Sequence, residues 1–164
     1  MKVLRKGGIA AGLIGIAILA LLTTAAYKLP AAQSQGGRLE KLIGSWEVET
    51  KVVVQNATLA ALVTFTGDGN MLADETPGPY ETTGHGSWVR TGPQEAAYTF
   101  VALMGDDQGE LAVTLKVVGT VQYNPKTDSW SGPFKIQAHD PDGNLVLDDT
   151  GTMSGTRIAV ERLD

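Results

Sequence analysis

Ser45-Trp46-Glu47-Val48-Glu49-Thr50-Lys51-Val52-Val53-Val54 carries a period of two. Trp46, Val48, Thr50, Val52 and Val54 share one parity, and Ser45, Glu47, Glu49, Lys51 and Val53 share the other. Successive side chains of an extended chain point to opposite faces, so one face here is apolar and the other largely charged. The stretch reads as a half-buried β-strand with Val54 among its inward residues.

Downstream the pattern recurs. Strands are expected at 58–66, 71–76, 86–91, 96–104, 111–123, 129–139 and 145–161, the last divided near Gly151 or Gly155, which makes eight or nine in all. Between them lie Gly67-Asp68-Gly69-Asn70, Gly92-Pro93, Asp106-Asp107-Gln108-Gly109, Asn124-Pro125 and Asp140-Pro141-Asp142-Gly143-Asn144, all suited to positive or fixed φ. Links this short make neighbouring strands antiparallel, and only 77–84, with two prolines and two glycines, reads as a longer loop. The fold class is therefore all-β, an antiparallel up-and-down meander that curls into a barrel. Closure removes exposed edges and leaves an interior for side chains or one small ligand. A two-sheet sandwich is the competing architecture, because strand count and short turns suit both.

Upstream, residues 38–43 suit a single helical turn, and 27–37, rich in Ala, Gln, Ser and Gly, have the composition of a flexible spacer. Before the spacer, Lys2, Arg5 and Lys6 precede an uncharged, mostly apolar run over 7–26. A basic segment, an apolar segment and the small-residue exits at Thr24-Ala25-Ala26 and 31–34 have the form of a signal peptide. The apolar run is also long enough to cross a bilayer as a helix. Residues 1–26 are thus expected to be a signal peptide or a membrane anchor, and 38–164 a single barrel domain. That domain is expected outside the cytosol, secreted, periplasmic or tethered through residues 7–26.

The chain has no cysteine, so disulfides, thiolate metal sites, a cysteine nucleophile and a lipid-bearing cysteine are excluded. Four of its 13 basic residues precede residue 38, leaving nine against 18 acids and a net charge of −9 for the barrel domain. Such a surface repels phosphate backbones, so nucleic acid is not an expected partner. No Gly-x-Ser-x-Gly elbow, phosphate loop or His-Glu-x-x-His occurs, and no catalytic residues are assigned. His85 and His139 lack a partner at metal spacing and fall on outward parities, so neither a metal nor a haem cofactor is expected. Asp140-Pro141-Asp142-Gly143 opens like a calcium loop, but its twelfth position is Gly151 rather than an acid, and a hairpin turn accounts for it.

Leu42-Ile43-Gly44-Ser45-Trp46, placed at the start of the first strand, resembles the Gly-x-Trp signature of the lipocalins. The resemblance is one of architecture, spread over residues 42–161. It implies a barrel closed at one end by the indole of Trp46, with Gly44 before it. A basic residue of the last strand covers the indole in that family, and Arg157 in Gly155-Thr156-Arg157-Ile158 occupies the corresponding position. With Ile158 and Val160 inward, strict alternation points Arg157 outward, and a bulge at Gly155 is needed to turn it in.

The expected interior comprises Trp46, Val48, Leu62, Trp88, Tyr98, Phe100, Leu115, Val117, Tyr123, Trp130, Phe134 and Ile136. Trp88, Tyr98, Phe100, Tyr123, Trp130 and Phe134 are the candidate ligand-binding residues for a small hydrophobic or amphipathic molecule. Three functions fit: an exported binder of such a ligand, a membrane-tethered interaction domain with a filled interior, and a cyclase-like enzyme whose cavity shelters a reactive intermediate.

Overall fold

The computed structural model describes residues 39–76 and 81–163. The expected signal or anchor segment and its spacer lie outside the described residues. A 3-10 turn, Leu39–Leu42, leads into eight strands: β1 (Gly44–Val52), β2 (Ala57–Phe65), β3 (Asn70–Glu75), β4 (Gly84–Arg90), β5 (Glu95–Gly105), β6 (Leu111–Asn124), β7 (Ser129–His139) and β8 (Leu145–Arg157). Each pairs antiparallel with the next, and β8 pairs back onto β1 from Trp46↔Arg157 to Val52↔Gly151, closing the sheet into a barrel. The meander is a barrel and not a sandwich.

Three of the hairpins share one design. In each, the residue opening the turn receives an N–H bond from the glycine three positions on and donates its own N–H to the carbonyl of the next residue: Thr66 with Gly69 and Asn70, Asp106 with Gly109 and Glu110, Asp140 with Gly143 and Asn144. The three glycines have φ of +88°, +83° and +86°, the left-handed geometry that a three-residue hairpin loop needs at this place. Asp140 Oδ1 also accepts the Asn144 N–H at 2.8 Å, and its Oδ2 accepts from Asn144 Nδ2 at 2.9 Å. The acid that looked like a calcium ligand is thus engaged in holding its own turn.

Four expectations need correction. β1 stops at Val52, where a turn with Asn56 at φ 47° begins, and Val54 is 73% exposed rather than inward. Leu62 is 53% exposed because the β1 register pairs Trp46 with Val63, which turns Val63 in and Leu62 out. β8 runs undivided to Arg157, so there are eight strands and not nine. Its inward parity is Asp149, Gly151, Met153 and Gly155, which aims Arg157 at the interior without any bulge at Gly155, while Val160 beyond the strand end is 97% exposed.

The interior is built from aromatic rings laid across glycines of the neighbouring strand. Trp130 pairs with Gly155 and Phe134 with Gly151 across β7 and β8; Phe100 pairs with Gly86 across β4 and β5; Tyr98 pairs with Gly119 across β5 and β6. A large ring fills the space that the missing side chain leaves, and the small barrel thereby accommodates wide side chains without distending. Pro133, which has no N–H to give, sits where the β6–β7 ladder is interrupted between Gly119↔Phe134 and Gln122↔Ser131, yet the register on either side is the same.

Candidate functional site

The two ends of the barrel are built differently. At the end where β1 starts and β8 finishes, Trp46 is fully buried beneath the 3-10 turn, and its Nε1–H donates to the Leu42 carbonyl at 3.0 Å. Tyr123 and Trp130 meet it edge-on at centroid distances of 6.3 and 6.4 Å, and Phe65 joins Trp130 to Trp88 in the same manner. Arg157 lies over this layer, its Cζ 4.1 Å from the Trp46 ring centroid. The guanidinium donates to the carbonyls of Lys41 and Ile43 and, from Nε and Nη2, to Asp128 at 2.6 and 3.1 Å. Gly44 has φ +132°, and a Cβ there would stand 2.6 Å from Arg157 Nη1, so both the backbone and the space demand glycine. The end is sealed by rings packed edge-to-face under a five-donor cation whose partners fix it in place.

Asp128 also accepts the Tyr123 hydroxyl at 2.8 Å. The Arg157 guanidinium, helped by that hydroxyl, holds its carboxyl below the usual carboxylate range against an opposing push from burial. A lowered folded-state pKa gives stability that is complete above the ordinary value of about 3.9 and is lost as pH falls through the lowered one. The Asp128 side chain is 49% exposed, so solvent screening limits the pair to about 1 kcal/mol or less. Asp128→Asn is expected to lower stability at neutral pH and to lose that difference as pH falls through the lowered carboxylate range, as followed by urea unfolding across acid to neutral pH.

The opposite end, where the β1–β2, β5–β6 and β7–β8 turns lie, opens into a cavity of about 380 Å3. Phe134, Ile136 and Ala138 of β7, Val113, Leu115 and Val117 of β6, Leu59, Met104, Val146 and Leu147 make its apolar wall, with Thr50, Gln55, Glu75, Thr76 and Glu81 as polar members. Phe134 is the deepest of the β7 residues there. Below it the interior is occupied by Tyr98, stacked on Phe100 at 6.2 Å, and by Met153, whose Sδ accepts the Tyr98 hydroxyl at 3.3 Å. Burial, and then the charge of Glu75, pushes the Tyr98 phenol well up, so it stays neutral and donates. A second hollow, about 680 Å3, lies between Glu47, Glu49, Leu62, Asp74 and Ser154 on the outer wall. It is an open furrow reached from outside the barrel, with Val48, Ala61 and Glu75 also in its lining, so the enclosed end is the stronger ligand site.

Of the six candidate ligand-binding residues, Phe134 lines the open cavity. Trp88, Tyr123 and Trp130 stand in the sealed end, the Trp88 Nε1–H donating to the Thr66 carbonyl at 3.0 Å, and Tyr98 and Phe100 fill the middle. Apart from Thr50, which shares the inward parity of β1, the polar members of the cavity escaped the sequence reading. Glu75 carried a signal, since it shares the inward parity of Met71 and Ala73. At the mouth, Asp149 accepts the backbone N–H groups of Val54 and Gln55 at 3.0 and 3.3 Å and so ties the β1–β2 turn to β8. His85 is exposed on the outer wall, and a register shift between Ala138 and His139 ends the regular pairing of β7 with β8, while His139 still pairs in register with Thr114 of β6.

These observations define an all-β protein, an eight-stranded antiparallel closed barrel with one sealed and one open end. No protein-family model matches the chain, and no curated protein matches it significantly.

Proposed function

We propose that the protein is a lipocalin-like binder, exported or tethered outside the cytosol, that holds a small hydrophobic or amphipathic molecule in the open-end cavity. The observation that supports this reading is a mostly apolar hollow of about 380 Å3 at the open end, backed by a layer of packed rings. Its size falls in the range of about 300–1,000 Å3 typical of small-molecule pockets. The Gly44-Ser45-Trp46 start, the arginine stacked on the indole and the eight-strand meander support the lipocalin comparison. The basic and apolar leader over 1–26 supports export.

Isothermal titration calorimetry of the full chain with decanol tests the pocket. Saturable one-to-one binding with a negative heat-capacity change is expected, the mark of apolar surface leaving water. Val113→Trp, which places a large ring in the half-buried wall near the mouth, is expected to weaken it about tenfold or more by occupying the space of the tail. Absence of decanol binding, or binding indifferent to Val113→Trp, would remove the pocket from consideration.

A further inference from the structure

Resting on the reading of this cavity as a ligand pocket, we propose that its ligand is a cationic amphiphile, with an apolar tail against Phe134 and Val117 and an ammonium head between Glu75 and Glu81. Among the described residues sixteen line the cavity; two of these are carboxylic acids and none is basic. Glu75 closes the inward row of β3 after Met71 and Ala73, so its carboxyl rises from the apolar wall rather than from the outer surface. Among the described residues its one hydrogen bond comes from Thr50 Oγ1, at 3.3 Å, and it has no cationic partner. Glu81 is brought to the same rim by an isolated bridge to Met104 of β5.

The energetics point the same way. Burial pushes the Glu75 carboxyl up, and burial followed by the charges of Glu75 and Asp74 pushes Glu81 up. An apolar tail entering the cavity displaces water from both groups and raises that cost further. A fatty-acid head adds a third negative charge to the pair, and a neutral head leaves the repulsion untouched. An ammonium group relieves it and offers three N–H donors to oxygens that have almost no donors of their own.

Decylammonium, decanol and decanoate share one tail and differ in the charge of the head. Titrated calorimetrically into the full chain at neutral pH, decylammonium is expected to bind about tenfold tighter than decanol, and decanoate weakest. Glu75→Gln, which keeps the shape and removes the charge, is expected to bring decylammonium to within about threefold of decanol. Glu81→Gln provides a second variant with the same expectation, smaller in size, should Glu75→Gln fold poorly. Equal binding of decylammonium and decanol, or a preference for decanoate, overturns the cationic ligand and leaves the apolar pocket standing. Failure of all three to bind overturns both.

Discussion

Trp46→Ala is expected to cost about 3–5 kcal/mol, a third or more of the stability of an ordinary domain, and to lower the melting temperature by roughly 10–20 °C. The indole has no solvent exposure, packs edge-on against two further rings, and donates to the Leu42 carbonyl. Its removal leaves a cavity at the sealed end and strips Arg157 of the ring face beneath it. Trp46→Phe separates the contributions. It retains most of the apolar volume, loses the bond to Leu42 and weakens the cation–π contact, for a cost of about 1–2 kcal/mol. Thermal unfolding by circular dichroism reads both variants. A Trp46→Ala protein that melts with the wild type would show that Arg157 and Asp128 hold the end without the indole.

The second large effect lies on the seam. Gly151 is the first β8 residue paired with β1, and a Cβ on it would come 2.1 Å from the Lys51 carbonyl oxygen and 2.5 Å from Phe134 Cζ. The ring can swing aside, but the oxygen belongs to the strand that closes the barrel. Gly151→Ala is therefore expected at or above the upper end of ordinary overpacking costs, about 3 kcal/mol. Gly155→Ala supplies the comparison, because the three atoms nearest its Cβ all belong to the Trp130 side chain. A smaller side chain at position 130 should rescue Gly155→Ala, and a smaller one at 134 should rescue Gly151→Ala only in part. Denaturant unfolding of the two double-mutant cycles measures the difference. Because Phe134 is the deepest β7 residue of the cavity, Gly151→Ala should also weaken decanol binding.

Much of this architecture is legible in the sequence because its signals are local. Alternation marks β1, and Asp, Asn, Gly and Pro mark the hairpins, each through a backbone angle that the residue itself favours. The errors arise where local signals are silent. Residues 57–65 are apolar on both parities, so alternation does not choose between Leu62 and Val63; the pairing with β1 does. Three consecutive valines at 52–54 hide the end of β1, which Asn56 and the carboxylate of Asp149 impose. Trp130 and Phe134 stand four residues apart, as do Gly151 and Gly155. That matching interval is the sequence trace of two rings lying on two bare backbones. The candidate site was less legible than the fold. Large rings suggest a pocket, but in this barrel they mostly fill the sealed end and the middle. The open end is left to smaller aliphatic residues and to acids that read as surface charge.

Closure between β1 and β8 has a consequence for how the chain is made. The first strand has a free edge until the thirteen residues of the last one arrive, so neither the indole nor Arg157 has its partner on a nascent chain still short of residue 157. Hairpins can form in order as they leave the ribosome, but the step that joins the ends spans almost the whole folded length, the kind of distant pairing that slows folding. Until then the chain is a sticky, curling ribbon, and closure of the barrel waits for its last strand.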